Sequence, residues 1–282
     1  MLASMICLAT MVTVSFALVY PIILSQIVPV SHPAANHLSS LSLLDILIGG
    51  AGSSNYIEGN AGYDLAVGDC ASIIFYADHT VQSITSTSTI VGKTDEIYMG
   101  EGNDVAIGGQ GTDTIDGYNG TNILVGDSAE ILFYFSRLPA PSENETGYFW
   151  NVPERIKSIS CEFGNKDTIS GGNGTDYIIG GALDDTVHAL GDADLVLGDH
   201  GTIYLYQNTP YKLINVTTTD PSCTQGIDTM YLGDGNDIAF GGALGDYIEG
   251  TCFGRDIFFW ENCFRLASET HKCSTFVCPC KT

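Results

Sequence analysis

Large apolar residues recur along most of the chain at a fixed distance from an acidic or amide residue. In Asp176-Tyr177-Ile178, as in most repeats, an apolar side chain stands two positions after an Asp or Asn, which itself recurs every nine residues within a block. Nine residues suffice for a short strand and a turn, so two repeats complete a coil and residues eighteen apart stack about 4.8 Å apart. The pattern predicts an all-β parallel solenoid. Its expected core residues are Ile97, Ile115, Leu124, Ile169, Ile178, Val187, Val196 and Ile248.

The repeats form four blocks within a region that spans residues 39–256. In the first block Ser53-Ser54 inserts one residue, and after Asp246 the frame is expected to fail because Arg255 stands at the next carboxylate position and Asp256 follows one residue late. Three blocks close with a Gly-Asp pair and a longer apolar run, after which Ser, Thr, Pro and Asn predict protruding loops or hairpins. The blocks cover residues 44–76, 93–134, 166–206 and 226–256.

Both ends of the chain differ from the repeats. Residues 1–38 begin with an uncharged apolar stretch that is typical of a secretory signal peptide, or of a membrane anchor if it is not cleaved. A buried apolar cap on the solenoid is the alternative for this segment. Residues 257–282 form a cysteine-rich tail without the spacing of a zinc site, so the nine cysteines favour disulfide bonds in an oxidising compartment.

The chain is strongly acidic. It has 33 Asp plus Glu against 10 Lys plus Arg, a net charge of −23, and such a protein cannot neutralise a phosphate backbone. The charge therefore excludes nucleic acid as a partner and favours cations. Because 44% of the residues are hydrophobic, the chain is too apolar for a disordered acidic polymer.

Stacked coils would bring like charges together. Asp95 would lie over Asp113 and Asp176 over Asp194, and two carboxylates about 5 Å apart repel by roughly 3 kcal/mol at an effective dielectric constant of about 20. A hard cation between the coils reverses the sign of this interaction. Calcium accepts six or more oxygen ligands, including the carbonyls of glycine-rich turns, whereas magnesium demands a tighter octahedron. The spacing predicts several bound calcium ions and a poorly stable metal-free state.

One repeat, Gly171-Gly172-Asn173-Gly174-Thr175-Asp176-Tyr177-Ile178-Ile179, resembles the calcium-binding nonapeptides of the RTX family, also called haemolysin-type repeats. The resemblance implies a right-handed parallel β-roll in which turn carbonyls and Asp side chains one full coil apart hold each calcium. By motif position it implies that the metal ligands are Asp45, Asp64, Asp95, Asp104, Asp113, Asp167, Asp176, Asp185, Asp194, Asp228, Asp237 and Asp246.

Some repeats depart from this motif. Asn55 and Asn122 stand where the motif has Asp, and Leu183 and Leu244 replace its third glycine. We expect calcium sites at these positions to be weak or empty.

No catalytic motif accompanies the repeats. The chain has neither the G-x-S-x-G elbow of lipases nor the H-E-x-x-H motif of metalloproteases, so we expect no enzymatic activity. The predicted function is calcium binding that stabilises the fold of a secreted or cell-surface protein with an adhesive role. Its expected partners are calcium ions and cell-surface or extracellular-matrix components, with membrane contact only through an uncleaved N-terminal segment.

Two alternatives stay open at this point. One is a fragment or accessory module of a secreted RTX toxin or hydrolase that lacks its catalytic domain. The other is a solenoid whose outer face binds ice or polysaccharide without calcium. Ice binding would require regular threonine ladders, and Thr112, Thr168 and Thr186 are sporadic along the sequence.

Overall fold

Every regular element among the residues described by the computed structural model is a β-strand, as the sequence predicts. The described residues are 4–8, 11–15, 36–39, 45–50, 52, 54–77, 80–88, 90–135, 152–206, 213–218, 223–251, 255–260, 263–266 and 275–277. In chain order the strands begin with β1 (Ser4–Leu8), β2 (Met11–Ser15), β3 (Asn36–Ser39), β4 (Ile46–Ile48), β5 (Asn55–Glu58), β6 (Leu65–Val67), β7 (Ala71–Phe75), β8 (Val81–Ser86), β9 (Glu96–Tyr98), β10 (Val105–Ile107), β11 (Thr114–Asp116), β12 (Ile123–Val125) and β13 (Ala129–Phe133). They continue with β14 (Pro153–Ser158), β15 (Thr168–Asn173), β16 (Tyr177–Gly181), β17 (Thr186–Gly191), β18 (Leu195–Asp199), β19 (Gly201–Leu205), β20 (Leu213–Thr218), β21 (Thr229–Gly233), β22 (Ile238–Phe240), β23 (Tyr247–Gly250), β24 (Ile257–Trp260), β25 (Cys263–Leu266) and β26 (Thr275–Val277).

Two nine-stranded sheets built from alternate repeats form a β-roll. The first roll sheet has the order β26-β23-β21-β17-β15-β11-β9-β5-β3, and the second has the order β25-β24-β22-β18-β16-β12-β10-β6-β4. Neighbouring strands are parallel except at the end strands β25 and β26, which pair antiparallel. All eight core residues predicted from the spacing are at most 1% exposed and lie in one apolar cluster, formed by the central residues of strands from both roll sheets.

The four blocks form one continuous roll. Strands β6 and β10 pair in register although a hairpin lies between them in the sequence, and β12 with β16 and β18 with β22 do the same. The chain therefore leaves the roll at each insertion and re-enters it in register, so the stacking of the coils is not interrupted.

The turns depend on close backbone approach. A Cβ on Gly120, whose φ is +127°, would lie 1.5 Å from the carbonyl oxygen of Gly102, so only glycine fits there. Leu183 and Leu244 keep the left-handed conformation of the glycines that they replace, with φ values of 67° and 69°. A leucine in this conformation is strained by about 1–2 kcal/mol.

A third, hairpin sheet covers the second roll sheet. Its order is β2-β1-β7-β8-β13-β14-β19-β20, and all of its pairs are antiparallel. Outward side chains of the second roll sheet, such as Val67, Val125 and Ile179, share one buried cluster with hairpin residues such as Ile131 and Phe133. The described parts of the insertions form hairpins, as predicted, but these hairpins pack on the roll, because the apolar outer face of the second roll sheet must be removed from water.

The prediction that the repeat frame fails after Asp246 is wrong. Strand β24 continues the second roll sheet, with Ile257 paired to Ile238, and the backbone N–H of Asp237 donates to Oδ1 of Asp256 at 3.3 Å. The last coil contains one extra residue, which leaves Arg255 exposed beside the frame. Such an extra residue also separates Asp45 from Asp64.

The ends of the chain lie largely outside the described residues. This applies to most of residues 1–38, for which a signal peptide or an anchor is predicted, and to most of the cysteine-rich tail, 257–282. No helix within the described ranges is long and apolar enough to span a membrane. Elsewhere Cys161 and Cys223 form a disulfide bond, and Cys70 is also disulfide-bonded.

Candidate metal centre

The repeat aspartates form two ladders, one in the turns that precede each roll sheet. In each rung the backbone N–H of one residue donates to Oδ1 of the residue one coil further along, as from Asp95 to Asp113 at 2.7 Å and from Asp176 to Asp194 at 2.8 Å. The first ladder comprises Asn55, Asp95, Asp113, Asp167, Asp185, Asp228 and Asp246. The second comprises Asp45, Asp64, Asp104, Asn122, Asp176, Asp194, Asp237 and Asp256. Every predicted metal-site residue thus lies in a ladder, and the sequence reasoning missed Asp256.

The other carboxylate oxygen, Oδ2, faces a second acceptor. At Gly108 a Cβ would lie 2.6 Å from Oδ2 of Asp113 and 2.3 Å from the carbonyl oxygen of Gly126 in the next coil. Because the glycine has no side chain, the two oxygens share the space beside it. Within the described roll, Oδ2 is buried and has no hydrogen-bond partner at Asp64, Asp95, Asp104, Asp113, Asp167, Asp176, Asp185, Asp194 and Asp228.

The amide rung at Asn55 shows which kind of group this space requires. Nδ2 of Asn55 occupies the position of Oδ2 and donates to the carbonyl oxygen of Gly68 at 3.1 Å, and both atoms crowd Gly49 as the paired oxygens crowd the glycine of an Asp rung. Nδ2 of Asn122 and the carbonyl oxygen of Gly171 share the space beside Gly117, but Nδ2 forms no hydrogen bond with that oxygen. Where Asp replaces Asn the N–H donor is lost, so a proton or a cation must separate the two oxygens.

Burial raises the pKa of the ladder carboxyl groups, because the charged form loses its water. The pKa rises to about 8 at Asp104, about 9 at Asp95 and about 10 at Asp185. Neighbouring carboxylates add to the effect, Asp113 acting on Asp95 and Asp228 acting on Asp185. Near neutral pH the metal-free ladders therefore hold protons that a bound cation would displace.

The protein oxygens favour calcium over a transition metal. No three carboxylate, histidine or cysteine side chains converge on one point within the described ranges, so an ion between two coils would take most of its ligands from peptide carbonyls. Calcium accepts carbonyl and carboxylate oxygens at about 2.3–2.6 Å in flexible geometry, whereas zinc requires Cys, His or several carboxylates.

A third group of buried aspartates lies at the end of the coils that are followed by a hairpin insertion. Asp69, Asp127 and Asp199 occupy the second glycine position of their turns, and Oδ2 of each accepts a backbone N–H from the next coil at 2.6–2.8 Å. Asp127 and Asp199 also accept an N–H from the chain that returns from the hairpin, at Asn165 and Gly226. The recurring Gly-Asp pair signalled these residues in the sequence, but not their role in joining the hairpins to the roll.

A family model of the RTX calcium-binding nonapeptide repeat matches four stretches of the chain, residues 98–129, 164–187, 170–202 and 224–248. The chain carries RTX repeats. Its RTX repeats are thus calcium-binding repeats, and the matched stretches contain every ladder aspartate from Asp104 to Asp246. Comparison with curated proteins and with solved structures gave no match.

The ladder residues of the RTX roll fit calcium, since rungs such as Asp95, Asp113 and Asp185 offer a buried Oδ2 and a facing carbonyl oxygen. Bound calcium supplies the positive charge that lets both oxygens occupy the space left by the glycine.

We expect the metal-free protein to be more stable at about pH 5 than at about pH 8. Because the folded-state pKa values of about 7 to about 10 exceed the unfolded value of about 3.9, the native state binds more protons, and its free energy of unfolding falls as pH rises through this window. Burial lowers the pKa of His200 to about 4, which opposes the trend, but the ladder carboxyls outnumber it. Urea unfolding in chelator at both pH values measures the difference, and equal or greater stability at pH 8 would contradict the assignment.

Asp113→Asn should stabilise the metal-free protein at pH 8, because the new amide can donate to the Gly126 carbonyl as Asn55 does to Gly68. We expect a gain of about 1–3 kcal/mol, the usual penalty for an unsatisfied buried group, together with a lower calcium stoichiometry. The folded fraction in chelator, followed by circular dichroism, gives the first quantity and calorimetric titration the second. Asp234→Asn makes the same charge change at an exposed site and should change neither the stability nor the calcium stoichiometry. Destabilisation by Asp113→Asn would argue against the paired-acceptor geometry.

Proposed function

We propose that calcium ions bound along both ladders are structural ligands that fold this RTX roll outside the cell, in a protein whose role is adhesion and not catalysis. The observation that carries the proposal is the pairing of a buried Oδ2 with a carbonyl oxygen of the next coil, a pairing that the amide of Asn55 satisfies without metal. The proposed calcium ligands are Asp45, Asp64, Asp95, Asp104, Asp113, Asp167, Asp176, Asp185, Asp194, Asp228, Asp237, Asp246 and Asp256.

An extracellular location agrees with the chemistry of the chain. The Cys161–Cys223 disulfide is of the kind that persists in oxidising compartments. Extracellular calcium modules operate at about 10⁻⁴ to 10⁻³ M, so a roll that needs calcium would stay unfolded during synthesis and fold after export. Once folded, it presents one uninterrupted sheet face to cell-surface or matrix components.

Calcium titration of the chelated protein should raise the β signal in circular dichroism, with heat released or absorbed in calorimetry. The double variant Asp176→Ala and Asp194→Ala removes two stacked rungs of the second ladder. It should raise the calcium concentration at the folding midpoint by roughly tenfold or more, which corresponds to about 1.4 kcal/mol.

The matched control is Glu154→Ala with Glu162→Ala, which removes two exposed carboxylates outside the ladders and should leave the midpoint unchanged. A chelated protein that is already fully ordered at neutral pH, with no heat on calcium addition, would refute the proposal. Magnesium acting as well as calcium would refute the selectivity.

A further inference from the structure

The outer face of the first roll sheet carries two columns of partly or fully exposed side chains that run along the roll axis, and we call them the platform. They are polar or aromatic, in contrast to the apolar outer face of the second roll sheet. In register order the first column is Tyr56, Glu96, Thr114, Thr168, Thr186, Thr229 and Tyr247. The second is Glu58, Tyr98, Asp116, Ser170, His188, Tyr231 and Glu249.

The centre of the platform is a threonine ladder. Thr114, Thr168, Thr186 and Thr229 pair directly across neighbouring strands, so their hydroxyls repeat at about 4.8 Å. The expectation that threonines are sporadic is wrong for Thr168 and Thr186, although Thr112 lies outside the ladder. Insertions of different length separate the ladder residues in the sequence, and the coils bring them into register.

Aromatic rings and carboxylates flank this ladder at both ends. At one end Tyr56 and Tyr98 lie 5.3 Å apart between ring centroids, and Tyr56 donates to Glu58 at 3.0 Å. At the other end His188 stacks on Tyr231 at 4.8 Å, and Tyr247 donates to Glu249 at 2.6 Å. From Tyr98 to Tyr231 the platform crosses four strand spacings, about 19 Å, with shorter side chains between the rings.

The charge of the platform selects the kind of partner. Its two columns contain Glu58, Glu96, Asp116 and Glu249 but no Lys or Arg, so it repels nucleic acids and acidic or sulfated glycans. Carboxylates and hydroxyls in a row instead suit a ligand rich in hydroxyl donors. Partly exposed tyrosine rings suit the apolar C–H faces of sugars, since such rings combine an apolar face with a polar edge.

We propose that the platform binds a neutral polysaccharide that lies along the roll axis and crosses the strands. Sugar rings pack on Tyr98 and Tyr231, and their hydroxyls bond to the threonine ladder and to Glu96. Ice fits less well, because only one column is threonine and the tyrosine rings rise above it at both ends. The site goes beyond calcium binding and depends on calcium only through the shape of the roll.

The test uses the full chain in saturating calcium, with depletion onto insoluble cellulose, chitin and β-1,3-glucan and affinity electrophoresis in soluble galactomannan. The wild-type protein should bind at least one of these polymers, and Tyr98→Ala with Tyr231→Ala should weaken binding by roughly tenfold or more. Tyr204→Ala with Tyr206→Ala removes two tyrosines from the hairpin sheet region and should bind as the wild type does.

Circular dichroism in calcium shows whether each variant folds, so that loss of the roll is distinguished from loss of the site. If the alanine variant does not fold, Tyr98→Leu with Tyr231→Leu keeps apolar bulk on the sheet and serves in its place. The proposal is overturned if no neutral polymer binds, if the folded platform variant binds undiminished, or if the protein binds ice or only an acidic polymer such as alginate.

Discussion

At ladder aspartates such as Asp95, Asp113 and Asp185, Oδ2 shares a glycine-sized space with a peptide carbonyl oxygen of the next coil, and two buried acceptors repel unless a hydrogen or a cation lies between them. Asn55 meets this requirement with its own N–H. The Asp rungs meet it with a proton or with calcium. A proton stabilises the metal-free roll at acidic pH, and calcium stabilises the roll in a neutral, calcium-rich exterior. The stability of the folded roll therefore depends on the pH and the calcium concentration around it.

The two roll sheets differ in the chemistry of their outer faces. Residues on either side of the central core position are apolar in the second roll sheet, as in Leu65-Ala66-Val67, and polar in the first, as in Thr114-Ile115-Asp116. The second sheet therefore needs the hairpin layer, which Asp69, Asp127 and Asp199 join to the coils. The first sheet needs no cover, which leaves its outer face available to a partner.

Much of this architecture follows from the nine-residue spacing. The repeat predicted the roll, the inward residues from Ile97 to Ile248 and the stacking of Asp95 on Asp113, because these depend on local periodicity. The nine-residue spacing alone does not predict the hairpin layer; the signal for it is the difference between alternate repeats, since only those of the second sheet carry apolar triplets. The threonine ladder and the rung at Asp256 could not be read by counting, because extra residues and insertions of different length shift the sequence relative to the coil.

The most direct test of the paired-acceptor account is a crystal structure at neutral pH with calcium, with anomalous scattering used to locate the ions. The account predicts a peak between Oδ2 and the facing glycine carbonyl at Asp rungs such as Asp113, and none at Asn55 or Asn122. Ordered Asp rungs without a peak, or ions bound equally at the amide rungs, would contradict it.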